Sequence, residues 1–410
     1  MSEGIEPRVS LKQTLQAALA GMAQSWWKKR GLMACALYPL SLLTRLAVNH
    51  QQRPAAKASA WRAPVPVVVI GNIYVGGTGK TPVVIACARA LANMGWKPGI
   101  VSRGYGVDIG SQPRVSPGDH QTPVMVDPSL FGDEPALIAQ ESGCPIAVHP
   151  RRRLAIESLL ATHPKVNVII SDDGLQHVEM ARDIEILVQD NRGVGNGWLL
   201  PAGPLREPLK RLNEVDVIIT RSRIGFSLTS AGQHHPPPAL RTGKETAATE
   251  APAPSANPAW ASIRPQRISM VLEPIHFRQV MTERTLSILE MQAFAQEKTI
   301  GAAAGIGVPQ RFFDTLEAAG IRLDWTRSLP DHAQLDAITF AQASSDLIFI
   351  TAKDAIKCRA LQDQRLWSLE VQARFSDDNF FPWLNQRVQQ AAANKPFSSV
   401  STIPPWKQDC

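Results

Sequence analysis

Between residues 64 and 222 the chain alternates short apolar runs with stretches of helical period. The runs at 67–70, 97–102, 146–148, 166–171, 184–189 and 215–220 predict strands. The stretches at 83–94, 134–141 and 151–162 predict helices. Strands and helices taking turns imply an α/β fold, a mostly parallel sheet covered on both faces. From 226 to 262 the periodicity disappears into Pro, Ala, Ser and Thr, which reads as a flexible insert or linker. Order resumes with predicted strands at 268–272, 299–305, 322–326, 347–351 and 366–371 and helices at 309–319 and 335–344. The expected organisation is an N-terminal segment (1–53), a core domain (54–225), the insert (226–262), a second, smaller α/β domain (263–392) and a loose tail (393–410).

The chain has 410 residues, 44% of them hydrophobic and 19% charged, which describes a globular protein with a sizeable core. Its five cysteines are scattered without a C-x-x-C, so they suggest reduced thiols and give no zinc or disulfide signal. Most of the net charge of +7 comes from residues 1–53, where seven basic residues face Glu3 and Glu6. Trp26-Trp27-Lys28-Lys29-Arg30 precedes an uncharged run from 31 to 44. Tryptophans and basic residues beside an apolar segment suit a lipid headgroup boundary. The run is 14 residues long and holds Pro39. That is short of the ~20 residues of a spanning helix, so a helix lying in the membrane interface is expected. No helix-turn-helix or aromatic single-strand platform points to nucleic acid, and nothing implies a protein partner.

The densest chemistry lies at Val67 through Pro82, which reads as a buried strand, a glycine-rich turn and Gly-Lys-Thr opening a helix. This is the pattern of a P-loop. Glycines let successive N–H groups turn toward one anion, and a helix N-terminus adds unsatisfied donors. Gly76, Gly77, Thr78, Gly79, Lys80 and Thr81 would hold ATP, with Lys80 on the β- and γ-phosphates and the Thr81 hydroxyl on Mg²⁺. The standard pattern places glycine where this chain has Tyr74, so the loop fits a Gly-Gly-x-Gly-Lys-Thr variant beginning at Gly76.

Acids appear where such a site needs them. The apolar run at 166–171 ends in Asp172-Asp173, beyond the carboxyl end of a strand, where ligands of open α/β sheets bind and where a carboxylate can hold Mg²⁺. Phe131-Gly132-Asp133-Glu134-Pro135 puts two acids before a helix. Helix capping is one use for them, and a general base for an acceptor hydroxyl, Asp133, is the other. In Ser102-Arg103-Gly104-Tyr105-Gly106, Arg103 or Tyr105 could face a phosphate or sugar. Arg151-Arg152-Arg153 at a helix start runs against the helix dipole and hints at an anionic partner. His332 beside Asp331 is, by itself, as compatible with an ordinary surface histidine.

Taken in order, these segments resemble the tetraacyldisaccharide 4'-kinase family of lipid A biosynthesis. The resemblance rests on Gly71-Asn72, Val75 through Pro82, Ser102 through Gly106, Gly132 through Pro135 and Asp172 through His177. It continues through Gly195-Asn196-Gly197, Leu200 through Pro208, Gly305-Ile306-Gly307, Pro309 with Arg311-Phe312-Phe313, Asp331-His332, and Thr351 with Lys353-Asp354. It implies transfer of the ATP γ-phosphate to the 4'-hydroxyl of a lipid-linked glucosamine disaccharide 1-phosphate at the cytoplasmic face of the inner membrane. It further implies Lys80 and Thr81 at phosphate and Mg²⁺, Asp172 and Asp173 at the metal, Asp133 as base paired with His332, and Tyr105 and Asn196 in contact with the lipid substrate. The family often carries a second His after Asp-His, where this chain has Ala333. The competing reading is a soluble P-loop switch ATPase, disfavoured by Val75 where such switches often have Lys.

Overall fold

The computed structural model describes residues 26–395 except 28–29, 54, 56–57, 223–264, 332, 334 and 342. Lys28, Lys29, His332, the 226–262 insert, most of the N-terminal segment and most of the predicted tail therefore lie outside the described residues.

The first half of the chain runs α1 (Leu32–Gln51), β1 (Val67–Gly71), α2 (Lys80–Asn93), β2 (Pro98–Ser102), β3 (Arg114–Val115), α3 (Pro128–Phe131), α4 (Asp133–Ser142), β4 (Ile146–Val148), α5 (Arg152–Thr162), β5 (Val168–Asp172), β6 (Ile184–Asp190) and β7 (Val217–Arg221). The second runs β8 (Gln266–Gln279), β9 (Thr285–Ser287), α6 (Ile288–Phe294), β10 (Ile300–Ala304), α7 (Gln310–Ala318), β11 (Trp325–Ser328), α8 (Ala337–Ala341), β12 (Leu347–Thr351), α9 (Ala352–Cys358), β13 (Leu366–Phe375) and α10 (Phe380–Ala393). Every predicted strand is present, displaced by a few residues at most, except that the run at 268–272 is part of a 14-residue strand. Glu273, Pro274 and His276 interrupt the apolar pattern there. Backbone pairing with β13, and with β9 at His276, carries β8 through the interruption.

Among the described residues all thirteen strands belong to one sheet, ordered β11-β10-β12-β13-β8-β7-β6-β1-β5-β2-β4-β3, with β9 on β8. Neighbours are parallel except at β8–β13, β8–β9 and β3–β4. The mostly parallel sheet flanked by helices is thus as expected. β1 is a β-branched run with Val67 to Ile70 fully buried, as a strand covered on both faces requires. One core face gathers Val68, Ile70, Val83, Leu91, Ile138 and Ile170. Phe380, Trp383, Leu384 and Val388 of α10 close this same core, so the chain returns to its first half at the end. Phe277, Phe313, Phe349 and Trp367 form a separate core in the second half.

The 14-residue apolar run lies within a helix of 20 residues, long and apolar enough to cross a membrane by length and composition. Of its side chains only Ala34 and Ser41 are buried, while Leu32, Met33, Leu40, Leu42, Leu43 and Leu46 face outward. Polar links hold it to the loop after β6. Ser41 Oγ donates to Leu199 O at 3.0 Å, and Gln52 Nε2, just past the helix end, donates to Glu207 Oε2 at 2.6 Å.

Candidate active site

The loop between β1 and α2 has the geometry its glycines predict. Gly76 and Gly79 take φ of 97° and 90°, in the left-handed region that side chains avoid. Asn72 Nδ2 donates to Gly76 O at 3.2 Å, and Arg192 Nη2 to Gly77 O at 3.1 Å. Thr78 is buried, and its hydroxyl has no hydrogen-bond partner among the described residues. Tyr74, at the atypical position, is fully buried. Its hydroxyl accepts from the Asp190 N–H at 2.7 Å, and its ring meets Trp27 edge-on at 5.2 Å. A phenol there ties the base of the loop to the end of β6, which a glycine could not do. Burial, reinforced by Asp190, raises the Tyr74 pKa and keeps the hydroxyl protonated.

β5 lies beside β1 with Asp172 in register with Ile70, so the paired carboxylates stand level with the start of the loop. Asp173 Oδ1 is 3.3 Å from Lys80 Nζ, and Asp173 Oδ2 accepts from Arg206 Nη1 at 3.1 Å. Burial alone would raise the Asp173 pKa, but Lys80 and Arg206 outweigh it and hold the carboxyl below the usual range. Asp172 is buried, with Ser102 Oγ donating to it at 3.0 Å. Burial, and then the charge of Glu134, pushes it up to about 7. Arg152 is buried and donates to Asp172 O at 3.1 Å and His149 O at 3.0 Å. The middle arginine of the triplet therefore braces the Asp172 backbone, and Arg153 pairs with Glu157 at 2.8 Å. These contacts within the chain take the place of the anionic partner suggested for these two residues.

Asp133 and Glu134 open α4, where carboxylates suit the helix dipole. Both also meet lysines from α9. Lys357 Nζ is 3.6 Å from Asp133 Oδ2 and 3.1 Å from Asp354 Oδ1. Lys353 Nζ is 3.3 Å from Glu134 Oε1 and 3.0 Å from Asp331 Oδ1. Gly132 takes φ 93°, and a Cβ on it would come within 3.0 Å of Tyr105 O. The loop bearing Arg103 and Tyr105, both exposed, thus packs directly on the turn before Asp133.

The second half also approaches the P-loop. A Cβ on Gly307 would lie 3.6 Å from Gly77 N, so two glycine-rich turns face each other. Arg311 Nη2 reaches Asp190 Oδ2 at 3.0 Å, a carboxylate that Arg192 also binds at 2.8 Å. Between the halves lies a cavity of about 210 Å³, lined in part by Gly79, Thr81, Glu134, Arg221, Arg311 and Lys353. Asn196 sits elsewhere. Its amide donates to Ala202 O at 2.9 Å and accepts from Trp198 N–H at 3.0 Å, which makes it the clasp of the loop that carries α1.

The structure therefore places Gly76 to Thr81, Asp172, Asp173, Arg103 and Tyr105 at the carboxyl ends of β1, β5 and β2, with Asp133 beyond the turn that packs on Tyr105. Arg152, Arg206, Lys353 and Lys357 join them without having been singled out as site residues. Arg206 and Lys353 stand in the segments that carried the resemblance, which was the one signal for them.

A mostly parallel sheet with this loop after β1 and two aspartates on the adjoining strand defines a P-loop nucleotide-binding protein. The family model for tetraacyldisaccharide-1-P 4'-kinase matches residues 33–389, and the chain belongs to that family. It is 48% identical over 377 residues to the tetraacyldisaccharide 4'-kinase of Bordetella petrii, covering 91% of this chain and 97% of that one. It is 40% identical over 355 residues to that of a Janthinobacterium species, covering 85% and 90%. Its fold is similar to that of LpxK from Aquifex aeolicus in complex with ATP, with a TM-score of 0.66 and 22% identity over 88% of this chain and 99% of that one. Family membership decides between the kinase and the switch ATPase in favour of the kinase.

Proposed function

We propose that the chain moves the γ-phosphate of ATP to the 4'-hydroxyl of a tetraacyldisaccharide 1-phosphate, working from the cytoplasmic face of the inner membrane. The observation that carries this reading is the contact of Lys80 with Asp173 at 3.3 Å, at the point where a P-loop meets the end of β5. Gly76 to Lys80 cradle the phosphates, and the Thr78 hydroxyl, without a partner among the described residues, is a further donor inside the loop. The Thr81 hydroxyl and the Asp172 and Asp173 carboxylates form an all-oxygen set that fits Mg²⁺, which is usually held by one or two carboxylates together with substrate phosphates. Buried and raised to about 7, Asp172 is a carboxyl that a dication would stabilise as the anion. When bound, the metal neutralises charge on the transferring phosphoryl group.

Asp133 is the base for the acceptor hydroxyl, assisted by His332. Arg103 and Tyr105 on the adjoining loop face the sugar and its phosphate, and Asn196 serves the lipid through the loop it clasps. The residues 54–225 and 263–392 act as two lobes that close on the substrates. The outward apolar face of α1 enters the membrane and places the acceptor near Asp133. The test is phosphate transfer from labelled ATP to the glycolipid in detergent micelles. Lipid-dependent transfer that disappears in Lys80→Ala is expected. ATP hydrolysis indifferent to the lipid, with no phosphorylated lipid formed, would overturn the reading.

A further inference from the structure

Arg221 is the last residue of β7, and its side chain lies along the P-loop, with Cδ 3.3 Å from where a Cβ on Gly79 would stand. Its guanidinium has no hydrogen bond or ion pair among the described residues. Burial pushes it down to about 10, and Arg311 acts in the same direction. Asp190 opposes the shift without pairing with Arg221, and a half-buried cation lacking a paired counter-ion is unfavourable by itself. Arg311 faces the same cavity from α7 and does have Asp190, but Asp190 already serves Arg192. One carboxylate thus stands against three guanidiniums. This excess of positive charge lies on the β7 side of the loop. On the β5 side, Lys80 is matched by Asp173.

We propose that Arg221 and Arg311 form an anion cradle that holds the phosphate chain of the nucleotide from the side opposite Lys80, with Arg311 reaching it from the second half of the chain. The proposal rests on the P-loop reading and adds two phosphate-binding residues to it. Guanidinium suits the task because its planar fork pairs with two phosphate oxygens at once and keeps its charge when buried. A nucleotide in the cavity would supply the counter-charge that Arg221 lacks. It would also draw α7 toward the P-loop, coupling nucleotide binding to the approach of the two halves. The cavity also has apolar walls at Leu272, Ile306 and Phe312, so a nucleobase stacked on Arg221 is the competing occupant.

The experiment measures displacement of a fluorescent adenine nucleotide by ADP and by adenosine, together with thermal unfolding. It compares the full chain with Arg221→Ala, Arg221→Gln, Arg311→Gln and Lys80→Ala. For the three arginine variants, ADP affinity is expected to fall roughly 10- to 100-fold while adenosine affinity stays unchanged. Without nucleotide, the Arg221 variants are expected to unfold at the same temperature as the parent or higher, since a half-buried charge with no ion-pair partner among the described residues is gone. The rise that ADP induces should shrink. Equal losses for adenosine and ADP would assign Arg221 to the base and overturn the cradle. So would unchanged ADP affinity, or a sharp loss of stability without nucleotide. If Lys80→Ala also leaves ADP binding intact, the P-loop reading fails as well. Loss in Lys80→Ala but not in the arginine variants defeats the cradle alone.

Discussion

Lys353 Nζ stands 3.3 Å from Glu134 Oε1, so a helix that follows β12 in the second half holds the N-terminus of α4 in the first. The same lysine reaches Asp331 at 3.0 Å, and one turn later Lys357 lies between Asp133 and Asp354. Asp354 accepts the Gly305 N–H at 2.8 Å and so fixes the turn that faces the P-loop. Two lysines therefore connect the candidate base, the glycine turn of the second half and the residue before His332.

Lys353→Ala is expected to lower turnover about tenfold while changing ATP affinity little. Glu134 is partly open to solvent, so the ion pair itself contributes at most about 1 kcal/mol to stability. Its importance lies in geometry. Steady-state kinetics with a thermal unfolding control make the check, and unchanged turnover would show that the pair does not position the site.

Lys80→Ala and Asp172→Ala should each reduce phosphate transfer by about 100-fold or more with the fold retained, since each removes charge stabilisation at the transferring group. Circular dichroism establishes folding and labelled-phosphate transfer establishes activity. Near-parental turnover in either variant would remove that residue from the site.

Asp133→Asn and His332→Ala should each cut turnover strongly, and the double variant should lose little more than the worse single one, because residues acting as a unit are lost once. A double-mutant cycle at saturating ATP and lipid decides this. Fully additive losses would show that the two act independently.

His177 gives a pH signature. Burial, followed by the charges of Arg152 and Arg103, pushes it down from 6.5 to about 4. Between those values the unfolded chain binds the proton more readily than the folded one, so stability rises with pH across the window and is lost as pH falls through it. His177→Gln should flatten the unfolding midpoint against pH between about 6.5 and about 4. An unchanged slope would assign the loss of stability to other groups.

Leu43→Lys combined with Leu46→Lys should release the protein from vesicles of anionic phospholipid, because both side chains point away from the rest of the protein. Flotation with the vesicles measures this. Full retention in the double variant would mean that α1 is not the membrane contact.

The P-loop, the paired aspartates and most strands were legible in the sequence because their causes are local. A glycine that must take positive φ, an apolar run of strand length and a lysine opening a helix all declare themselves within a few residues. The N-terminal helix was only partly legible. Its apolar run suggested 14 residues, and the helix continues to Gln51 because Arg45, a good helix former followed by Leu46, Ala47 and Val48, breaks the uncharged run without ending the helix.

What the sequence determined by itself was the loop chemistry and the alternation of strand and helix around it. The tertiary structure alone decided which distant groups meet. The parallel pairing of β7 with β8 joins the two halves into one sheet, and that sheet brings Lys353 to Glu134 and Arg311 to Asp190 across more than 100 residues. Arg152 pointed, from the sequence, to an anionic partner, and the packed structure gives it the backbone at the end of β5 instead. Such partners carry no local signature. An ion pair or a buried brace depends on where two backbones lie in space, and that depends on the packing of the whole sheet.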